Sequence, residues 1–557
     1  MNQRQSILNT KTILVATAMG LMTYGCGNLG KAVKGSAENV SEVITDSTVV
    51  VTAVEQGQIA GYQTMGVNIF KGVPYAKADR FMPPTAPDGW KGIRSCRAYG
   101  PTCPQGARSG WENDEASFAF DWDDGHAGED CLRLNIWTQG LSDNKKRPVM
   151  VWFHGGGFAA GSGQELPSYD GTNLAKDGDV VVVTVNHRLN VLGFLDLSAF
   201  GERYAKSGNV GMLDLVESLR WIKENVESFG GDPDNITIFG QSGGGGKVST
   251  LLAMPSAKGL FHKAIIQSGS QLKCMEQQYS RRIGTEVVKK LGLNASNIDR
   301  IAEIPYDKLL AAGEEAVKEE KAKALKAGWN GFIFGWSPVV DGDLLPQHPF
   351  APSAPAQSKD IPVIIGTTLN EFCASAYVPA MRNLSEDDVM KQVEQRYGSF
   401  ADDYLKAFSE AYPGYKPADL IDVDLMFRPM ALEQARLKMA QKGAPVYMYL
   451  FTWQSPAMNG IWRAVHCMEI PFAFNNTALQ AGMTGNGPEA RALARKMSKA
   501  WINFAKTGKP EADGLPAWEA YSEGTGATMI FDNKCEIRHH HDAKLIKIAR
   551  QCPQKPM

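Results

Sequence analysis

Ile236-Thr-Ile-Phe-Gly240-Gln241-Ser242-Gly243-Gly244 decides the reading of this chain: a short apolar β-run that enters Gly-x-Ser-x-Gly. A serine nucleophile has to project from a sharp, strained turn between a strand and a helix, and glycine on either side relieves the crowding of that turn. The competing readings are an ordinary glycine-rich turn and a phosphate-cradling loop. A phosphate loop ends in Gly-Lys-Ser/Thr, whereas Gly246-Lys247 is followed by Val248, which disfavours it. Ser242 is the candidate nucleophile.

Upstream, Val151-Trp-Phe-His154-Gly155-Gly156-Gly157-Phe158 is a second apolar run that ends in glycines. Attack on an ester places negative charge on the former carbonyl oxygen, and backbone N–H groups must meet it with no side chain in the way. The N–H groups of Gly156, Gly157 and Gly243 are the candidate oxyanion hole. Serine also needs a base, and in this kind of sheet the chain order is serine, acid, histidine. That order leaves His262, His348, His466 and the run His539–His541. His262 reads as part of a helix close behind the elbow, with little room for an acid in between. His348 precedes Pro349 in a loop. His466 stands in Ala464-Val-His-Cys-Met-Glu-Ile-Pro, a polar insertion that can reach over a sheet, and is the candidate base. For the acid, Glu371 follows the apolar run Ile361-Pro-Val-Ile-Ile-Gly366, where active-site loops gather. Asp341, in Pro338-Val-Val-Asp-Gly, stays open as its rival.

The runs Val149–Phe153, Val180–Val185, Ile236–Phe239 and Val363–Ile365 are continuously apolar, as strands buried on both faces of a mainly parallel sheet must be. Leu215, Leu219, Ile222, Val226 and Phe229 recur at helical spacing, which makes a strand-helix-strand crossover. Val49–Ile59 and Val67–Phe70 read as short strands, residues 283–330 and 383–445 as covering helices, and His539–His541 as a solvated tail. The expected class is α/β: a large, mostly parallel central sheet flanked by helices, with a small N-terminal antiparallel sheet.

The chain has 557 residues, 43% hydrophobic and 21% charged, enough to bury a large core. Its net charge of −2, without any long basic run, gives no footprint for nucleic acid. Arg4 and Lys11, the apolar stretch Thr12–Tyr24 and the small residues around Cys26 follow the order of a secretory signal. The apolar stretch is shorter than the ~20 residues of a spanning helix. Residues 1–25 are thus expected to be an export signal, with Cys26 a lipidation site and the one route to a membrane. Residues 26–45 read as a polar tether and 46–557 as a single catalytic domain. The expected location is the periplasm, the outer membrane as a lipoprotein, or the outside of the cell. Eight of the nine cysteines lie beyond Cys26 and can pair in an exported chain. No Cys-x-x-Cys has a matching partner, so neither a zinc site nor any cofactor is expected.

At this point the sequence resembles the type-B carboxylesterase and cholinesterase family over nearly the whole chain after residue 45. The resemblance rests on Phe70-Lys-Gly-Val-Pro-Tyr-Ala, Glu129-Asp-Cys-Leu-Arg-Leu-Asn-Ile-Trp, the His154–Phe158 glycine run, Asn186-His-Arg-Leu and Phe229-Gly-Gly-Asp-Pro-Asp-Asn-Ile-Thr-Ile-Phe-Gly. It implies an α/β-hydrolase fold, with Ser242 as nucleophile, Glu371 as acid, His466 as base and Gly156, Gly157 and Gly243 as oxyanion donors. It also decides against Asp341, which matches a family motif outside the triad. Gln241 and Gly243 depart from the family's usual Glu and Ala, Asn370 replaces a frequent Asp, and the segment after Tyr75 is shorter than usual. The lost carboxylate at 241 argues against a cationic choline ester. The resemblance further implies a Cys103–Cys131 disulfide. Cys535–Cys552 and the neighbours of the triad, Cys373 and Cys467, are weaker candidates.

The expected activity is serine-dependent hydrolysis of small-molecule carboxylic esters through an acyl-enzyme. Amide, carbamate and thioester bonds pass through the same kind of intermediate. A non-catalytic binding protein on the same fold is disfavoured because every triad position is filled. Phe158, Phe334, Trp336, Phe372 and Trp453 are candidate pocket residues that serve equally well as core.

Overall fold

The computed structural model describes residues 42–46, 50–106, 113–123, 125–327 and 335–552. The expected export signal, Cys26, the tether up to residue 41 and Phe334 lie outside them.

Strand side chains alternate between faces, so a strand buried on both faces must feed two cores. The parallel strands do this residue by residue. Val149, Val151 and Phe153 enter one cluster with Val181, Val183, Ile236, Ile238, Ile266 and Ile365. Met150 and Trp152 enter another with Val182, Phe239, Ile265, Ile364 and Tyr449. The helix Val210–Asn225 and the 3-10 turn Val226–Phe229 carry the expected stripe, Leu215, Leu219, Ile222, Val226 and Phe229, into the first cluster. The helix Pro488–Thr507 closes the second with Leu493, Met497, Trp501 and Phe504. At about 25 cal/mol per Å² of apolar surface removed from water, these two layers are the main source of stability.

Among the described residues the large sheet has twelve strands. From one edge they run Val43–Ile44, Tyr62–Thr64, Val67–Pro74, Arg133–Thr138, Val181–Val185, Arg147–Phe153, Gly231–Gln241, Lys263–Gln267, Val363–Thr368, Val446–Phe451, Ala527–Phe531 and Glu536–His539. Val181–Val185 through Ala527–Phe531 are parallel to their neighbours, and the outer pairings are antiparallel. Arg147–Phe153 connects onward to the strand on one side of it and Gly231–Gln241 to the strand on the other. Their C-terminal ends thus flank a topological switch point, the place where such sheets open a crevice.

Several expectations are corrected. Val49–Ile59 is not one strand: Val51–Val54 and Gly57–Ala60 form a hairpin around Glu55-Gln56. Ile93–Ser95 joins it in parallel, so the small sheet is mixed rather than antiparallel. The large sheet begins at Val43–Ile44, inside the stretch read as tether. His539 ends an edge strand and His541 is largely buried, so the run is not a free tail, although His539 and His540 stay exposed.

Two of the sequence motifs act as clamps beneath the crevice. Arg188 grips the fully buried Asp214 through Nε at 2.8 Å and Nη2 at 2.6 Å, and donates to the carbonyl of Met82 at 2.8 Å. Asn186 accepts from the Gly163 N–H at 2.6 Å, and its carbonyl accepts from the Tyr75 hydroxyl at 2.7 Å. The segment 383–445 supplies helices Glu386–Tyr397 and Ala401–Ala411, which build a separate small core with Ala543–Gln551, and helix Phe427–Met439, which packs on the sheet.

Candidate active site

Ser242 stands at the switch point, between the strand Gly231–Gln241 and the helix Gly243–Leu251. Its φ of 57° and ψ of −125° lie in a region that costs about 1–3 kcal/mol for a residue with a Cβ. The Ser242 N–H holds the turn by donating to the Gln267 carbonyl at 2.8 Å, and the Ser242 carbonyl accepts from the Gly246 N–H at 3.0 Å. The neighbours have no room for side chains. A Cβ on Gly240 would lie 2.6 Å from the Phe153 carbonyl oxygen, and one on Gly244 would lie 2.0 Å from it.

The loop after Phe153 closes on this turn. Gly156 and Gly157 have φ of 80° and 63°, a left-handed path that bends the chain back over the elbow. The approach is tightest at Gly243, where an added Cβ would stand 2.1 Å from the Gly157 carbonyl oxygen and 2.5 Å from its nitrogen. Among the described residues none of the N–H groups of Gly156, Gly157 and Gly243 has an acceptor. The Gly243 N–H also opens a helix, whose N-terminus favours negative charge.

His466 and Glu371 come together as buried partners. The imidazole Nδ1 is hydrogen-bonded to Glu371 Oε2, and the His466 N–H donates to the Glu371 carbonyl at 2.8 Å. Glu371 Oε1 accepts from the Thr368 N–H at 2.9 Å, at the end of its strand. The Gln241 amide nitrogen lies 3.4 Å from His466 Nδ1 and 3.3 Å from Nε2, which brings the imidazole against the residue next to Ser242. Phe372 covers the ring at a centroid distance of 4.5 Å and Phe427 flanks it at 5.4 Å. Phe372 stays 40% exposed beside the imidazole, the most exposed of the candidate pocket residues among those described. Phe158 and Trp453 are core.

Sequence reasoning missed two further carboxyl groups. Glu469, fully buried three residues after His466, accepts from Gln267 Nε2 at 3.3 Å on one oxygen and has no partner among the described residues for the other. Burial, and then the charge of Glu371, push it up to about 7. Asp424 caps the helix Phe427–Met439 by accepting from the N–H of Met426, Phe427 and Arg428 at 2.9, 3.1 and 2.7 Å. Burial and Glu371 push it up as well. Glu469 lay in the quoted histidine segment and its spacing was a usable signal; Asp424 had none, since only tertiary packing brings it here.

The rejected candidates are structural. Asp341 accepts from Asn209 Nδ2 at 2.8 Å and from the Leu345 N–H at 3.0 Å in its own turn. His262 lies ahead of the strand Lys263–Gln267, not in a helix, and its Nδ1 accepts from the Ile236 N–H at 3.0 Å. His348 accepts from the Cys274 N–H at 3.3 Å. The expected Cys103–Cys131 pair does come together, as two buried free thiols with no bond formed between them. Cys131 is hydrogen-bonded to Cys103, which with burial pushes it well up, and Cys103 Sγ accepts from the Leu189 N–H at 3.2 Å. Cys535 and Cys552 are likewise free and pack in different cores; Cys373 and Cys467 are free in the same one.

Comparison with known proteins agrees with this geometry. A family model described as the carboxylesterase family matches residues 46–548. The chain is 34% identical to the para-nitrobenzyl esterase of Bacillus subtilis over 506 residues, covering 89% of this chain and 97% of that one. It is 34% identical to the phenmedipham hydrolase of Pseudarthrobacter oxydans over 492 residues, covering 85% and 93%. An esterase of Clostridium hathewayi, described as able to hydrolyse aliphatic aromatic polyesters, superposes with a TM-score of 0.82 at 39% identity, covering 92% of this chain and all of that one. The α/β-hydrolase fold and the switch-point crevice are thus those of a known group of hydrolases, and the chain belongs to the carboxylesterase family, as a type-B hydrolase of carboxylic esters.

Proposed function

We propose that the protein cleaves its esters in two steps, through an acyl group carried on Ser242. Ser242 Oγ attacks the acyl carbon while His466 takes its proton, and Glu371 orients and supports the imidazolium. The charge on the former carbonyl oxygen falls to the N–H groups of Gly156, Gly157 and Gly243. His466 then returns the proton to the departing alcohol, and water repeats the sequence to free the acid. The observation that carries this reading is the buried His466–Glu371 pair lying against Gln241, one residue from a strained serine. Neutral Gln241 offers nothing to a cationic alcohol, and the exposed ring of Phe372 beside the imidazole favours apolar and aromatic ester groups. Residues 1–25 export the chain and Cys26 takes the lipid in the same proposal.

The test is turnover of p-nitrophenyl butyrate by the wild type and Ser242→Ala. We expect kcat to fall about 10⁴–10⁶-fold, with one organophosphate bound per wild-type chain and none per variant. Equal turnover in the two proteins overturns the assignment.

A further inference from the structure

Lys247 is the one charged side chain in the helix Gly243–Leu251, and it is fully buried. A buried ammonium is costly unless something on the protein compensates it. Its Nζ donates to the His154 carbonyl at 2.8 Å and lies 3.5 Å from the Gly155 carbonyl, the two carbonyls that lead into the oxyanion glycines. The glycine run explains how a lysine reaches so far under the loop. A Cβ on Gly244 would lie 2.0 Å from the Phe153 carbonyl oxygen and 2.9 Å from that of His154, so a bare helix is needed to lie flat against this strand end. At Gly246 an added Cβ would stand 2.8 Å from Gln271 Oε1, with the Phe158 ring in ordinary contact at 3.4 Å.

The Gly155 carbonyl and the Gly156 N–H belong to a single peptide group. An ammonium held against the carbonyl end polarises that group and strengthens its N–H as a donor, the more so because Lys247 is fully buried, where the effective dielectric is low. The same contact fixes the path of a loop whose glycines would otherwise have wide conformational freedom.

We infer that Lys247 is a positioning residue for the oxyanion hole, pinning the His154 and Gly155 carbonyls so that the Gly156 and Gly157 N–H groups face the charge that develops at Ser242. The surroundings agree. Glu165 supplies the compensating charge, while burial alone drives the ammonium down, to about 7. Of the two imidazoles packed nearby, His187 is held well below its usual range by burial and then by Lys247, so it adds no competing charge; its ring lies 5.2 Å from that of His154.

This rests on the acyl-enzyme reading, and the test separates the two. Lys247→Met keeps the length and apolar stem but loses the donor and the charge. The probe is octyl trifluoromethyl ketone: Ser242 Oγ adds to its carbonyl carbon, His466 takes the proton, and the negative charge settles on the former carbonyl oxygen. We expect kcat/KM for p-nitrophenyl butyrate to fall about 10–100-fold through kcat, with KM within about threefold, and the inhibition constant of the ketone to rise by the same factor. A lysine that only supports the fold would lower the melting temperature and leave that proportionality absent. If the Met variant does not fold, Lys247→Gln, with a shorter neutral donor, is read by the same ratio. Ketone affinity and kcat/KM both within twofold of wild type, or a fall in one without the other, overturn the role of Lys247. Retained turnover in Ser242→Ala overturns the underlying reading instead.

Discussion

On the nucleophile side of the proposed site the working atoms, apart from the Ser242 hydroxyl, belong to the backbone of two segments, 154–157 and 240–244. On the base side they belong to buried and half-buried side chains from three segments, at 368–371, 422–428 and 464–469. The first half is made by leaving side chains out: Gly240, Gly243 and Gly244 let strand, loop and helix touch at 2.0–2.6 Å of a would-be Cβ. The second half is made by crowding carboxyl groups, Glu371, Asp424 and Glu469, around one imidazole under two phenylalanine rings. The first is expected to fail by displacement and the second by wrong charge.

The largest effect should come from the charge half. Glu371→Gln keeps the shape but offers His466 Nδ1 an amide, which supports neither the right tautomer nor the imidazolium. We expect kcat to drop about 10⁴-fold, with the fold and KM little changed. A loss below tenfold would show that Asp424 or Glu469 can take over the role, and the contrast between the halves would dissolve.

Gly243→Ala probes the other half. The added Cβ meets only backbone, at 2.1 Å from the Gly157 oxygen, 2.4 Å from its Cα and 2.5 Å from its nitrogen, so the loop has to move. The Gly243 N–H itself survives. Loss of the Gly157 donor by displacement predicts a fall of about 10²–10³-fold in kcat/KM, with near-wild-type circular dichroism. Activity within threefold of wild type would mean that the loop relaxes at no cost. The resemblance to a family in which alanine is usual at this position makes this a demanding comparison: here the loop lies closer than such a side chain allows.

The same division explains what could be read in advance. The parallel strands were legible because burial on both faces leaves no polar residue in Val149–Phe153 or Val363–Ile365. Ser242 and its glycines were legible because the geometry of a tight turn is written into adjacent residues. Val49–Ile59 misled because Glu55-Gln56 turns without proline or asparagine, and apolar content alone cannot tell a hairpin from one strand. Glu371 could not be separated from Asp341 by chemistry, since both follow apolar runs; what separates them is which loop meets residue 466. Lys247 was noticed only as a failed phosphate loop, its reach to the His154 carbonyl being a product of helix packing.

The smallest of the expected effects is thermodynamic and belongs to the base side. An unfolded Glu469 titrates near its ordinary 4.5, whereas in the folded protein it is pushed up to about 7. Between those values the folded state holds a proton that the unfolded state has released, so stability falls as pH rises from about 4.5 to 7 and stays lower above that. At 1.4 kcal/mol per pH unit the whole span is worth at most about 3–4 kcal/mol. Glu469→Gln copies the protonated carboxyl and removes its titration. Urea unfolding at pH 5 and pH 8 should therefore show a smaller difference in the variant, with the gain appearing at pH 8. Asp424 is pushed in the same direction and should leave a residual slope. Because the amide is neutral, hydrolysis by the variant should stay within about tenfold of wild type, in contrast to the collapse expected for Glu371→Gln. An unchanged difference between pH 5 and pH 8 would mean that Glu469 is ionised in the folded protein, and that the crowding on this side is carried by Glu371 and Asp424 alone.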